Sequence, residues 1–195
     1  MSDFILWLLY TVYYRLGGWT AKPEIPDGVK KAVVIIAPHT ANRDFPIGLG
    51  VDYLMKPRGQ FLGKKELFDG AFGWIFKKLG GIPVDRSKKN NFVDEVNRIF
   101  KEHEELFIVI APEGTRSRTT RWKTGFYHMA KGANVPIVLA YIDYAKKECG
   151  FGKVVYPSDN MEKDFAIIED FYRDIAPYYP ENFNPKMIEE SGGPK

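Results

Sequence analysis

Apolar residues along the chain fall into two rhythms: unbroken β-branched runs, and segments where apolar positions recur every three or four residues. The runs are AVVIIA (32–37), LFIVIA (106–111) and PIVLAYI (136–142). Each predicts a short strand buried on both faces. QFLG (60–63), residues 82–85 and residues 153–156 predict further short strands. Residues 44–54 predict a helix, and residues 66–79 a helix interrupted by two glycines. Val93, Val96 and Phe100 stand at helical spacing, so a helix capped by Asn90 or Asn91 is expected to run to about Glu105. Ser158 or Asp159 is the expected cap of a last helix with Phe165, Ile168, Phe171, Tyr172 and Ile175 inward. Strands alternating with helices predict an α/β fold, a mostly parallel central sheet flanked by helices.

The N-terminus departs from both rhythms. FILWLLYTVYYRL (4–16) is apolar and aromatic, then meets Gly17 and Gly18. A bilayer span needs roughly 20 apolar residues, so this run is too short to cross. It also lacks the basic start and small-residue cleavage site of a secretory signal. Trp7, Tyr10, Tyr13, Tyr14 and Trp19 are side chains suited to the lipid–water boundary. Residues 1–20 are therefore read as a membrane-anchoring helix, peripheral or monotopic, against the alternative of a terminal helix docked on the core. Pro23, Pro26, Asp27 and Gly28 form a loop ahead of the main domain, read as 29–180; residues 189–195 read as a frayed tail.

Charge adds an asymmetry. Residues 158–195 carry four Lys/Arg against nine Asp/Glu, whereas residues 1–157 carry 24 against 16. A basic surface attracts anionic headgroups, acidic proteins or nucleic acid alike, so it selects no partner. The single cysteine, Cys149, excludes an internal disulfide and fits a reducing, cytosolic setting.

Two of the apolar runs end in Ala-Pro followed at once by reactive residues: APH at 37–39 and APEGTR at 111–116. In open α/β sheets, ligands sit beyond the carboxyl ends of strands. His39 and Asp44 are five positions apart, about 140° around one helix, so a regular helix would separate them. A strand-end His, a turn through Thr40, Ala41 and Asn42, and an Asp in the next helix's first turn would join them. A carboxylate on one imidazole nitrogen fixes the tautomer and stabilises the imidazolium formed when the other takes a proton. There is no G-x-S-x-G nucleophile elbow, so such a dyad would deprotonate an acceptor hydroxyl directly. In Ala111 to Arg118, Gly114 permits close backbone approach, Thr115 offers a hydroxyl and Arg116 a fork for phosphate oxygens. Glu113 is expected to accept from a glycerol-like hydroxyl or to hold an arginine. GGIPVDRS (80–87) places Arg86 beside Asp85 after glycines, and neither loop has Walker A order.

Together these elements resemble the glycerolipid acyltransferase family, which includes the 1-acylglycerol-3-phosphate (lysophosphatidic acid) acyltransferases. Its four blocks occur in order across roughly residues 32–142. His39 and Asp44 match the His-x4-Asp block. GKKELF (63–68) leading into GGIPVDRS matches the second, with Lys64, Glu66, Leu67 and Arg86 in place. Glu113 to Ser117 spell the third, and Val135, Pro136 and Ile137 open the fourth.

The resemblance implies an O-acyltransferase that moves a fatty acyl group from acyl-CoA or acyl carrier protein to a lysophospholipid hydroxyl. It assigns the base to His39 and its orientation to Asp44, with no covalent intermediate. Arg116 and Arg86 would hold the acceptor phosphate, Lys64, Glu113, Gly114 and Thr115 would shape the substrate site, and an apolar groove including Pro136 and the first helix would take the acyl chain. No metal or other cofactor and no nucleic acid are implied; the site of action is the cytoplasmic face of the (inner) membrane. His39 follows Pro38, where many members have Asn, and Thr-Ala-Asn-Arg lacks the serine usual before the motif's midpoint. These departures leave the acceptor open to another lysolipid or an acylated amino acid. Other classes are a non-catalytic lipid or carrier-protein binding module, and a phosphohydrolase or thioesterase. His103 reads as solvent-facing, His128 as a core histidine or a neighbour of the pocket, and Cys149 as a residue of a Lys/Glu-rich turn.

Overall fold

The computed structural model describes residues 3–25, 28–54, 59–70, 72–78, 80–84 and 92–186. The first half of the chain gives α1 (Asp3–Gly17), β1 (Thr20–Lys22), β2 (Lys31–Ile36), α2 (Asp44–Leu54), β3 (Gln60–Lys64), α3 (Lys65–Asp69), α4 (Gly73–Lys78) and β4 (Gly81–Val84). The second half gives α5 (Phe92–Glu102), β5 (Leu106–Ile110), α6 (Gly125–Ala133), β6 (Ile137–Asp143), β7 (Glu148–Val155) and α7 (Met161–Tyr172).

The three longest apolar runs become the adjacent central strands. Among the described residues the sheet has the order β1-β7-β6-β2-β5-β3-β4. All its neighbours pair in parallel except β6 and β7. Period-two alternation divides the β2 side chains between two cores. Val33, Ile35 and Ala37 pack with α5, α6 and α7, burying Phe100, Trp122, Phe126, Phe165 and Tyr172. Ala32 and Val34 point the other way, with Phe107 and Val138. On that second face α2 and α1 add Ile47, Val51 and Tyr14. They cover only part of the sheet.

Helix α1 docks along one side alone. Tyr14 donates its hydroxyl to the Ile47 carbonyl, and Tyr10 stacks on Tyr53 with centroids 5.5 Å apart. Gly50 makes this approach possible, since a Cβ there would lie 2.4 Å from the Tyr14 hydroxyl oxygen. Ile5, Trp7, Leu8, Leu9, Val12, Tyr13 and Leu16 remain exposed. No helix among the described residues is long and apolar enough to cross a membrane.

The sequence expectations need adjustment in several places. The sheet begins at Thr20–Lys22, ahead of residue 29, and Phe183 lies in the core beyond residue 180. Strand β1 is three residues held against β7, with Lys22 paired to Glu148 at 2.8 Å, too short to show periodicity. The strand expected at 153–156 starts at Glu148, because a tight turn returns it antiparallel to β6. Helix α5 ends at Glu102; its expected caps, Asn90 and Asn91, lie outside the described residues, as does the 189–195 tail. The cap of α7 is Asn160, whose side chain accepts from the Lys163 N–H. Ser158 instead hydrogen-bonds Asp164. Helix α6 was not expected; its two glycines mask an apolar face of Phe126, Met129 and Ala130.

Candidate active site

Strands β2 and β5 are parallel neighbours whose register pairs Ile35 with Ile110. Their Ala-Pro ends therefore emerge side by side at the carboxyl edge of the sheet, where His39 meets Glu113. The His39 backbone N–H donates to Glu113 Oε2 at 2.9 Å. The chain then turns sharply into α2, and Asp44 reaches back over the turn. Asp44 Oδ2 accepts from the N–H groups of Thr40 and Ala41, each at 2.8 Å, and lies 3.2 Å from His39 Nδ1. The expected strand–turn–helix closure of the dyad is present.

Asp44 is 2% exposed, whereas the His39 side chain keeps 26%. Burial alone would raise the Asp44 carboxyl pKa. Hydrogen bonds from His39, from Tyr144 and from the Ala41 N–H outweigh it and hold the group below the ordinary carboxylate range. His39 Nε2 has no hydrogen-bond partner among the described residues. A neutral imidazole with its proton on Nδ1 facing Asp44 leaves Nε2 free to accept a proton.

Glu113 faces inward, accepts from the His39 N–H and holds no arginine among the described residues. It is 5% exposed, and Oε1 is buried without a partner among the described residues. Burial pushes its pKa up to about 7, against the opposing effect of the His39 N–H. Gly114 has φ +68, a left-handed backbone that favours glycine, and a Cβ there would lie 2.6 Å from Lys123 Nζ. Gly114 thus makes room for Lys123, a cation that no motif in the sequence marks. Thr115 accepts from the Ser117 N–H at 3.2 Å, so its hydroxyl shapes the loop. Arg116 is exposed and donates to Asn42 Oδ1, which brings the loop across to the His39–Asp44 turn.

Arg118 and Trp122, which follow this loop, serve the scaffold. Arg118 donates to the carbonyls of Glu181 and Phe183, and Trp122 to that of Asn184 at 2.8 Å. Lys64 ends β3, with its backbone in register with Val84. Its side chain, and all of Arg86, lie outside the described residues. Pro136 is buried at the start of β6, its carbonyl accepting from the Val33 N–H at 3.0 Å. In a parallel sheet that start is the edge opposite His39, roughly 20 Å away at about 3.3 Å per residue. Pro136 consequently does not line the apolar cavity, and neither does α1 among the described residues.

That cavity of about 300 Å³ lies between α2 and the partly covered sheet face. Val34, Ile36, Val109, Ala140 and Phe151 form its floor, and Gly48, Leu49 and Val51 its roof. Gly48 keeps the space open, since a Cβ there would come within 3.3 Å of Ile36 Cδ1. His39 and Asp44 stand in its wall. An apolar chain in the cavity would present its polar end to the dyad.

The remaining histidines and the cysteine lie elsewhere. His103 is half-buried with Nδ1 2.8 Å from the Ile99 carbonyl, because it turns back at the end of α5. His128 is exposed, since α6 buries its neighbours Tyr127 and Met129. Cys149 is buried inside β7 rather than in a turn, and burial raises its thiol pKa to about 11. Tyr144, which no motif marks, donates to Asp44 Oδ1 at 2.6 Å. Its place just beyond β6, at a third strand end, was the available signal.

Comparison with known proteins gives one consistent result. Residues 20–143 match the Acyltransferase family. Over 190 residues the chain is 28% identical to a 1-acyl-sn-glycerol-3-phosphate acyltransferase of Haemophilus influenzae, covering 90% of this chain and 78% of that protein. It is 32% identical over 124 residues to the Escherichia coli protein of the same name, covering 60% of this chain and 49% of the relative. The Saccharomyces cerevisiae counterpart is 32% identical over 120 residues, covering 56% and 38%. The chain thus spans half or less of these last two relatives. The crystal structure of the 1-acyl-sn-glycerophosphate (LPA) acyltransferase PlsC from Thermotoga maritima has the same fold. Its TM-score is 0.59 at 17% identity, covering 89% of this chain and 78% of that one.

Proposed function

The chain belongs to the acyltransferase family, and from that membership we propose that it acylates the free hydroxyl of a lysophospholipid such as 1-acylglycerol-3-phosphate. The donor is an acyl thioester, acyl-CoA or acyl carrier protein. The observation that carries this reading is the His39–Asp44 contact in the wall of an apolar cavity, with Arg116 drawn to the same turn.

The acceptor hydroxyl gives its proton to His39 Nε2 as its oxygen attacks the thioester carbonyl carbon. Asp44 stabilises the resulting imidazolium through Nδ1. Collapse of the tetrahedral intermediate breaks the carbon–sulfur bond, and the departing thiolate takes the proton from Nε2. The acyl group never bonds to the protein. Arg116, with Arg86, binds the acceptor phosphate, and the cavity takes an acyl chain. This chemistry needs no metal or redox cofactor.

The exposed apolar side of α1, with Phe45, Phe72 and Trp74 also exposed, supports peripheral or monotopic membrane attachment; its placement at the cytoplasmic face is part of the proposal. The test presents purified protein with labelled acyl-CoA or acyl carrier protein and vesicles containing several lysolipids. Acylated 1-acylglycerol-3-phosphate is the expected product, absent with His39→Ala. Transfer undiminished by His39→Ala, or free fatty acid without any acylated lipid, would reject the reading.

A further inference from the structure

Asp44 makes its hydrogen bonds unevenly. Oδ2 faces the Thr40 and Ala41 N–H groups and His39 Nδ1, whereas Oδ1 accepts from the Tyr144 hydroxyl at 2.6 Å. The terminal torsion of an aspartate side chain is intrinsically broad, so the plane is set by what holds the two oxygens. The Tyr144 bond is the contact that holds Oδ1, and with the three contacts on Oδ2 it clamps the carboxylate from both sides.

Tyr144 is itself firmly held. Its backbone N–H donates to the Ala176 carbonyl at 2.8 Å. Its ring meets Trp19 edge-on and tilts against Tyr178, each at 5.2 Å between centroids, and Arg43 caps Tyr178 at 4.1 Å. Just before it, buried Asp143 accepts from the Ala145 and Lys146 N–H groups at 3.0 and 3.1 Å, fixing the β6–β7 turn. The aromatic cluster needs only the ring. The hydroxyl has a separate direction, toward Asp44.

We infer that Tyr144 is a positioning residue for acyl transfer, its hydroxyl fixing the Asp44 carboxylate in the plane that orients His39. Burial and the Asp44 carboxylate raise the phenol pKa above its ordinary value, so it remains a donor through the neutral range. The residue acts through Asp44 and touches neither substrate. The inference rests on the His39–Asp44 mechanism proposed above.

The test compares wild type, Tyr144→Phe, Asp44→Ala and the double variant under single-turnover and steady-state conditions, with melting temperatures as fold controls. Tyr144→Phe is expected to lower kcat about tenfold, or about 1.4 kcal/mol of barrier, with both KM values within about twofold. In the Asp44→Ala background the same change is expected to cost nothing further. 4-Aminophenylalanine at position 144 restores a para donor on the same ring and should recover most of the rate. A Tyr144→Phe rate within twofold of wild type would overturn the inference. So would equal losses in both backgrounds, or a 4-aminophenylalanine variant as slow as phenylalanine. If Asp44→Ala itself retains full activity, the dyad mechanism falls; if only Tyr144→Phe is silent, the mechanism stands and Tyr144 loses its role.

Discussion

The backbone N–H of His39 donates to the buried Glu113 carboxylate at 2.9 Å, joining residues 74 positions apart. This bond ties the ends of two adjacent parallel strands. It also makes Glu113 a support for the His39 backbone, with a pKa raised by burial to about 7.

The folded state therefore holds a proton on Glu113 that the unfolded chain has released between about pH 4.5 and pH 7. Stability from this group is full below that window and falls as pH rises through it. Glu113→Gln removes the titration while keeping an acceptor for His39. Relative to wild type, its melting free energy should improve between pH 5 and pH 8, by about 3 kcal/mol at most. Asp44 has the opposite sign: its pKa is lowered, so its contribution is present above the ordinary carboxylate value and lost as pH falls below it. Denaturant titrations of both proteins across pH check the two directions.

Replacing His39 by Ala or Asp44 by Asn should reduce kcat by about a thousandfold. His39 is partly exposed and carries little packing, so His39→Ala should shift the melting temperature only slightly. Activity assays and thermal melts on the same preparations separate chemistry from folding.

Arg116→Ala should raise the KM for a phosphate-bearing acceptor by about tenfold or more, a charge-assisted contact having been removed. The donor KM should stay nearly constant. Asn42→Ala frees the guanidinium from its partner and should have a smaller effect in the same direction. Steady-state kinetics with each substrate varied in turn reads both.

Leu9 and Leu16 of α1 are 53% and 85% exposed. Changing both to Glu should leave the melting temperature nearly unchanged and lower binding to anionic vesicles by about tenfold or more, since buried apolar area drives such binding. Vesicle co-sedimentation measures it. Unchanged binding would reject attachment through this helix.

Much of the fold was readable because apolar periodicity is a local property. β2, β5 and β6 were placed within about a residue, and the His39–Asp44 turn followed from strand-end position and spacing. Short or glycine-bearing elements such as β1 and α6 escaped, because three residues show no period and glycine dilutes an apolar face. Pro136 was assigned to the acyl groove by resemblance. The strand direction puts it at the opposite edge of the sheet.

The sequence by itself determined the alternating elements and the reactive strand ends, and it singled out the residues proposed as base, orienter and phosphate partner. Only the tertiary structure decided that β2 lies between β5 and β6. That order brings Glu113 beneath His39 and Tyr144 onto Asp44, 100 positions away. It also decided that the apolar cavity opens on the face α2 leaves partly bare. Strand order and long-range hydrogen bonds depend on how separate segments share one core, and the local hydrophobic pattern does not carry that information.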